Sequence, residues 1–295
     1  MRRKVLVVFG TRPEAIKMIP VIKQLEENSS SFITKICVTG QHRHMLDQVL
    51  DLFSIKPDFD LNLMKHDQTV TDLTSKIIKK MEPVLDEFKP DYMLVHGDTS
   101  TSMASSIAAF YKKIKILHVE AGLRTNDLYS PWPEEANRQI VSVLSYINFA
   151  PTKESKENLK KENKKNIFIT GNTVIDSLFL VVKLIENNKI LKKEIIQKLQ
   201  KEFSFKESRK LILITGHRRE NFGEGFKNIC QAIKMISSSY ENVDIVYPVH
   251  LNPNVRKIVK NILGNIPNVY LIEPLPYEVF IYLMKKSYLI LTDSG

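Results

Sequence analysis

Residues 5–17 read VLVVFGTRPEAIK, an apolar run that passes through a glycine into a segment opening with a proline. A short β-branched run of this kind predicts a buried strand, and the early proline predicts the first turn of a helix. Residues 211–225, LILITGHRRENFGEG, repeat the same order of strand, glycine and basic turn. The recurrence predicts two units built on one plan.

Other apolar runs alternate with longer amphipathic segments along the rest of the chain. The predicted strands are Lys4–Phe9, Lys35–Val38, Tyr92–His96, Lys115–Val119, Ile147–Ala150, Ile167–Thr170, Leu211–Thr215, Asp244–Pro248, Val269–Ile272 and Tyr288–Leu291. Helical periodicity marks intervening segments such as Ala15–Glu27, Val70–Phe88 and Gly225–Tyr240. This alternation predicts an α/β fold class, with parallel sheets covered by helices on both faces.

The pattern of strand and helix begins again near Leu211. We therefore predict two Rossmann-like, doubly wound domains, residues 1–170 and residues 171–295. A ligand is expected at the carboxyl ends of the strands, in the cleft between the two domains. Because such a domain normally continues from a strand into a helix, the second domain is expected to be incomplete at Gly295.

The composition excludes several classes of protein. Of 295 residues, 43% are hydrophobic and 26% charged, which is typical of a folded globular protein. Two cysteines are too few for a disulfide scaffold and favour a reduced, cytoplasmic location. No apolar run reaches the roughly 18 residues of a membrane-spanning helix, so no membrane association is expected.

The net charge of +10 comes largely from lysines in two helical stretches, Lys153–Lys165 and Lys183–Lys210. These stretches also contain glutamates and asparagines, which favours a solvated surface over a site for an anionic partner. No zinc-finger spacing or RNA-recognition pattern accompanies the charge, and nucleic acid is not expected as a partner.

Charged residues follow the predicted strands at the edge where a ligand would lie. Arg12 and Lys17 follow the opening strand, where basic side chains and a helix N-terminus favour an anion, although a plain capped turn is the alternative. Asp98 follows the strand Tyr92–His96. It is either a residue of the cleft or the N-cap of the next helix.

Two glutamates extend this set. Glu120 ends a buried strand, where an unpaired carboxylate is costly. It either forms a structural pair with Arg124 or takes part in acid–base chemistry. Glu134 follows a stiff loop of prolines and tryptophan, and it either faces the cleft or simply begins a helix together with Glu135.

In the second unit, His217, Arg218 and Arg219 follow the first strand. A histidine and two arginines in one turn suit a diphosphate, unless the arginines pair with neighbouring glutamates on the surface. No HExxH, CxxC, GxSxG or GxGxxG pattern is present, so no metal, dinucleotide or other cofactor is expected.

Taken together, the segments that follow the strands indicate a protein family far more specifically than any single segment does. They occur in this order: FGTRPEAIKM, TGQHRHMLDQVL, VHGDTST, HVEAGLRT, SPWPEEANRQ, ITGNTVIDSL, TGHRRENFG, YPVHLNP and LTDSG. The chain resembles the bacterial non-hydrolysing UDP-N-acetylglucosamine 2-epimerases from Lys4 to Gly295. The resemblance implies a GT-B fold and a homodimer that interconverts UDP-GlcNAc and UDP-ManNAc for cell-surface polysaccharides.

The resemblance also implies roles for individual residues. The catalytic set is Asp98, Glu120, Glu134 and His217. The substrate and UDP-binding set is Arg12, Lys17, Arg218, Arg219, Leu275, Phe280, Ser294 and Gly295. Leu275 stands where some members have a glutamine beside the uracil, and the motif that opens at Ser294 lacks its later glycine and glutamate.

Some members bind a second UDP-GlcNAc as an activator. The residues that correspond to that site are Gln41, His42, Arg43 and His250. His44 and Asp67 depart from the pattern, since they replace a glutamine and an arginine.

The expected reaction is anti elimination of UDP to 2-acetamidoglucal, followed by re-addition. Asp98 is expected to be a principal base, with Glu120 and Glu134 sharing or positioning the proton. The alternatives are a hydrolysing epimerase, another GT-B glycosyltransferase, and an inactive nucleotide-sugar-binding fragment.

Overall fold

A computed structural model of the chain describes residues 1–40, 43–63, 68–204, 208–216 and 224–293. The chain divides into two compact units, Met1–Leu178 and Phe179–Gly295. The boundary between the units falls within one helix, Val174–Asn187. In the described part of the chain, no helix is both long and apolar enough to cross a membrane.

The first unit is built around a parallel sheet of seven strands. Its elements in chain order are β1 Arg3–Phe9, α1 Arg12–Glu27, β2 Phe32–Val38, α2 Arg43–Leu52, β3 Phe59–Asp60, α3 Val70–Phe88, β4 Tyr92–His96, α4 Ser100–Tyr111, β5 Lys115–Val119, α5 Glu134–Leu144, β6 Ser145–Ala150, α6 Lys153–Lys161 and β7 Ile167–Ile169, followed by α7 Val174–Asn187. The strand order is β3-β2-β1-β4-β5-β6-β7. Core residues such as Leu6, Ile77 and Met93 are fully buried where helices cover the sheet.

The second unit contains a parallel sheet of four strands, in the order β10-β9-β8-β11. Its elements are α8 Lys189–Glu202, β8 Lys210–Thr215, α9 Glu224–Ser239, β9 Val243–Pro248, α10 Pro253–Leu263, β10 Val269–Ile272, α11 Tyr277–Lys286 and β11 Leu289–Thr292. Its core surrounds Phe226, Ile245 and Tyr247, and the Tyr247 hydroxyl donates to the backbone oxygen of Gly216 at 2.7 Å.

The ten strands expected from the sequence are all present, and the prediction of parallel α/β sheets is confirmed. The largest difference at a strand end is in β2, which begins at Phe32 rather than Lys35. β3 was not expected, because a pair of residues is too short to show a strand pattern. It is recognised only by its pairing with β2.

The order of strands decides where a ligand can lie. In the first sheet the chain moves outward from β1 to one edge, then returns to β4 on the other side of β1. Ligands of doubly wound sheets bind outside the carboxyl ends of the strands at this reversal. The turns that follow β1 and β4 therefore flank the expected site, and they contain Arg12 and Asp98.

Candidate functional site

The turn between β1 and α1 is compact because the residue after β2 and the first turn of α4 approach it closely. A side chain at Gly10 would collide with the hydroxyls of Thr39 and Thr101, so only glycine fits there. Thr11 precedes α1, and its backbone N–H donates to the carboxylate of Glu14 at 2.8 Å. The half-buried Arg12 begins the helix, as the sequence predicts.

Asp98 forms an ion pair rather than a helix cap. Arg138 of α5 donates to its Oδ2 from both Nη2, at 2.6 Å, and Nε, at 2.9 Å. The Asn137 amide donates to the backbone oxygen of Asp98 at 2.8 Å. Thr99 caps α4 instead, because its hydroxyl oxygen accepts from the N–H of Ser102, so the alternative of Asp98 as the cap is wrong.

Glu120 lies one residue beyond β5 and is surrounded by donors. Lys17 Nζ is 2.5 Å from its Oε2, the Asn172 amide donates to the same oxygen at 3.1 Å, and His96 Nε2 is 3.7 Å away. Burial raises the pKa of Glu120, but His96 and Lys17 outweigh burial and lower it to about 2. The carboxylate is therefore held ionised.

Arg124 does not pair with Glu120. Its Nε donates to Glu162 Oε1 at 2.6 Å and its Nη2 donates to Glu162 Oε2 at 2.9 Å. A third bond from Nη2 reaches the Ser142 hydroxyl at 3.0 Å. The predicted structural pair of Glu120 with Arg124 is therefore wrong, because Glu120 pairs with Lys17.

Glu134 and Glu135 both begin α5, as one of the two alternatives predicts, but their surroundings differ. Glu135 is fully buried and accepts from the backbone N–H of Thr125 at 3.1 Å and from Arg138 at 3.1 Å. Glu134 is half-buried, and its Oε2 is inaccessible to solvent with no hydrogen-bond partner among the described residues. An unpartnered buried carboxylate oxygen is costly unless a ligand satisfies it.

The carboxylates approach one another around the turn after β4. Gly97 adopts a left-handed φ of +63°, and Glu120 Oε1 lies 3.8 Å from the position that a side chain at Gly97 would occupy. Asp98 is the next residue, and its bonds to Asn137 and Arg138 tie it to the helix that Glu134 begins. The first unit thus brings Glu120 close to the turn that contains Asp98, and it ties that turn to the helix that begins at Glu134.

His118 supports this turn from within β5. It is fully buried, and its Nε2 donates to the backbone oxygen of Gly97 at 2.8 Å. Desolvation by burial, only partly offset by this bond, lowers the pKa of His118 from 6.5 to about 4. The imidazole is therefore neutral at neutral pH.

The pKa of His118 predicts a pH dependence of stability. The unfolded chain takes up a proton near pH 6.5 but the folded chain only near pH 4. Stability should therefore be complete above about pH 6.5 and fall as the pH is lowered toward about 4, by about 3 kcal/mol in all. Denaturant midpoints followed by far-ultraviolet circular dichroism should show this loss.

His118→Gln should remove that slope, because its amide can still donate to Gly97 but does not titrate. His250→Gln, at an exposed histidine, serves as the matched control and should retain the slope. An unchanged pH dependence in His118→Gln would contradict the assignment.

The remaining predicted residues belong to other regions. Leu275 is half-buried in the loop before α11, and Phe280 is half-buried in the first turn of that helix. His250 is exposed after β9, where its Nδ1 accepts from the N–H of Asn252 at 3.2 Å. Arg43 begins α2. The others lie outside the described residues: Gln41, His42, His217, Arg218, Arg219, Ser294 and Gly295.

Sequence reasoning did not single out some side chains that organise this site. Arg138 and Asn172 stand within recognisable segments, but nothing local indicates partners that are 40 and 52 residues away. Glu14 could have been found, because Thr11 followed three residues later by a glutamate is the pattern of a capping box. Among the described residues, no cluster of three or more His, Cys, Asp or Glu side chains is arranged to hold a metal ion.

Known proteins match both the sequence and the fold. A family model described as UDP-N-acetylglucosamine 2-epimerase matches residues 23–295. The UDP-N-acetylglucosamine 2-epimerase of Campylobacter jejuni is 58% identical over 100% of this chain and 77% of its own length. That of Salmonella typhimurium is 55% identical over 99% of this chain and 77% of its own length.

Among solved structures, the UDP-GlcNAc 2-epimerase from Neisseria meningitidis bound to UDP-GlcNAc aligns with a TM-score of 0.87 at 52% identity, covering 99% of this chain and 78% of its own. This similarity confirms the predicted class, an α/β enzyme of the GT-B type with two Rossmann-like units. The chain belongs to the UDP-N-acetylglucosamine 2-epimerase family.

Proposed function

We propose that the chain interconverts UDP-GlcNAc and UDP-ManNAc by inverting C2 of the sugar without net hydrolysis. The observation that carries this proposal is the gathering of Asp98, Glu120 and the helix that begins at Glu134 around Gly97, beside the reversal of strand order. Proteins of the same family supply the substrate class, since the Neisseria meningitidis relative was crystallised with UDP-GlcNAc.

The chemistry requires a base, an acid and a stabilised leaving group. The C2 proton of the sugar is not acidic by itself, so a carboxylate removes it as the bond from C1 to the diphosphate oxygen breaks. The electrons of the C2–H bond form the C1–C2 double bond, which gives 2-acetamidoglucal and UDP. UDP then adds back to C1 while an acid delivers a proton to the opposite face of C2, so the product has the same atomic composition as the substrate.

The contacts of the three carboxylates favour different roles. Arg138 engages Oδ2 of Asp98 through both of its bonds, which leaves Oδ1 to take the proton. Glu134 has a buried oxygen without a partner among the described residues, which suits a proton carrier on the other face. Lys17 and His96 hold Glu120 ionised, so Glu120 is better suited to positioning these two side chains than to carrying a proton.

We propose that cationic residues hold the leaving diphosphate, because preorganised positive charge stabilises a departing anion. Arg12 at the start of α1 is the described member of this set. His217, Arg218 and Arg219 are proposed to complete it. Leu275 and Phe280 are proposed to contact the uracil, and Ser294 with Gly295 the diphosphate.

The rest of the proposal concerns the setting of the enzyme. We propose a cytoplasmic homodimer whose product feeds cell-surface polysaccharide, with a domain boundary in the sequence near residue 171. Gln41, His42, Arg43 and His250 are the proposed contacts of a second UDP-GlcNAc acting as activator.

Incubation of the chain with UDP-GlcNAc alone in deuterated water tests the proposed reaction. We expect UDP-ManNAc to appear by anion-exchange chromatography, with deuterium at C2 of both nucleotide sugars, because the removed proton exchanges with solvent. The NMR signal of the C2 proton should therefore disappear as equilibrium is reached.

Each alternative predicts that UDP-ManNAc does not accumulate in the same assay. A hydrolysing epimerase would give free ManNAc and UDP, and a glycosyltransferase would leave UDP-GlcNAc unchanged in the absence of an acceptor. Binding of UDP-GlcNAc without any change would indicate a non-catalytic fragment. Any of these outcomes would overturn the proposal.

A further inference from the structure

Glu14 is a carboxylate buried at the centre of the first unit, with only 2% of its surface exposed. Its Oε2 accepts hydrogen bonds from the backbone N–H of Gly10 at 3.0 Å, the N–H of Thr11 at 2.8 Å and the Thr11 hydroxyl at 2.8 Å. These bonds fix the turn between β1 and α1, and they are the bonds of a helix cap.

The second carboxylate oxygen of Glu14 contacts residues outside its own helix. Oε1 accepts from the Thr99 hydroxyl at 2.6 Å, and the Ser102 hydroxyl lies 3.2 Å away. Thr99 caps α4 and is the residue after Asp98. The side chain therefore spans the reversal of strand order, from the turn after β1 to the turn after β4.

A helix cap alone does not account for this arrangement. Capping α1 requires only the bonds of Oε2, and a cap can be made at a solvated helix end at little cost. Here a carboxyl group is buried, which is costly unless hydrogen bonds satisfy both of its oxygens. The bond from Thr99 comes from the turn that contains the proposed base, and the bond from Ser102 comes from the first turn of α4.

We infer that Glu14 is a positioning residue that sets the distance between the anion-binding turn of Arg12 and the base Asp98. This inference deepens the proposed function and rests on it. Glu14 itself does not contact the substrate in this scheme. It acts through Thr99, which fixes the backbone next to Asp98, and through Gly10 and Thr11, which fix the backbone next to Arg12.

Three variants separate this role from a structural one. Glu14→Ala removes both sets of bonds. Glu14→Gln retains the length, and its amide can accept from the turn after β1 while donating to the Thr99 hydroxyl. Asp91→Ala is the matched control. Asp91 accepts a hydrogen bond from the N–H of Lys4 at 2.8 Å, so it also joins β1 to β4, but at the amino ends of these strands.

We expect kcat per folded molecule to fall roughly tenfold to a hundredfold in Glu14→Ala, because displacement of a catalytic group by about 1 Å has costs of this size. KM should change less, because the N–H of Ala15 still donates to the backbone oxygen of Thr11 and keeps the helix start in place. Glu14→Gln should retain kcat within a few-fold of wild type, and Asp91→Ala should retain it fully. Equal kcat in Glu14→Ala and Asp91→Ala would overturn the inference.

Amide hydrogen exchange of the segment 92–102 gives a second readout that does not depend on turnover. Amide exchange in the residues after β4 should be faster in Glu14→Ala than in Asp91→Ala. Equal exchange rates in the two variants would contradict the inference that Glu14 holds the turn after β4. If wild type epimerises nothing, the proposed function fails while this measurement still decides whether Glu14 holds the turn.

Discussion

Asp98→Asn is expected to lower kcat for epimerisation about a thousandfold while UDP still binds, because loss of a positioned base has an effect of this order. The asparagine oxygen can still accept from Arg138, so the fold around the turn should persist. Turnover of UDP-GlcNAc, UDP binding by calorimetry and the thermal midpoint should be measured on the same preparation.

Asp127→Asn provides the matched control for this change. Asp127 lies in an exposed loop of the same unit, where its carboxylate accepts from the N–H of Tyr129 at 2.9 Å. The control should turn over UDP-GlcNAc at the wild-type rate. Wild-type turnover in Asp98→Asn would remove Asp98 from the mechanism, whereas loss of UDP binding would show a role in holding the nucleotide.

Glu120→Gln is expected to reduce both stability and activity, because it leaves the Lys17 ammonium without its counter-charge. The pair is largely buried, with Lys17 22% and Glu120 12% exposed. Breaking such a pair should reduce the free energy of unfolding by about 3 kcal/mol. Because the pKa of Glu120 is lowered from 4.5 to about 2, this contribution should be complete above pH 4.5 in wild type and be lost as the pH falls toward about 2.

The double variant Lys17→Met with Glu120→Gln separates stability from chemistry. Removal of both charges should recover much of the lost stability, since no buried charge is left without a partner. Epimerisation should remain impaired, because Lys17 is absent from the substrate-binding set and Glu120 no longer positions His96. Denaturant titration and turnover assays check the two effects, and full recovery of turnover in the double variant would exclude this pair from the site.

Ten of the eleven described strands were predictable because each is a local pattern. β1, β4 and β8 are apolar runs with glycine after them, and no distant residue is needed to recognise such a run. The position of the candidate site in the first unit was also predictable in outline, because parallel strands bring their carboxyl ends to one edge.

The partners of the charged residues were not predictable from local sequence. Arg124 is four residues from Glu120 but binds Glu162, and Asp98 is bound by Arg138 from another helix. The φ of +61° at Glu120 takes the chain out of the strand there, so alternation along β5 no longer indicates where that side chain points. Ion pairing depends on which loops the sheet brings together, and only the folded chain supplies that information.

The buried contacts of Glu135 have a consequence for engineering the loop that precedes α5. Its carboxylate accepts hydrogen bonds from the backbone N–H groups of Thr125 and Asn126, which hold the start of the loop in place. Tyr129 and Trp132, near the tip of the loop, are 82% and 62% exposed. A tip with this exposure contributes little to the folded core, and exposed loop tips accept inserted sequence well. A fluorophore or affinity tag grafted there would therefore report on the enzyme without loosening the helix that Glu134 begins.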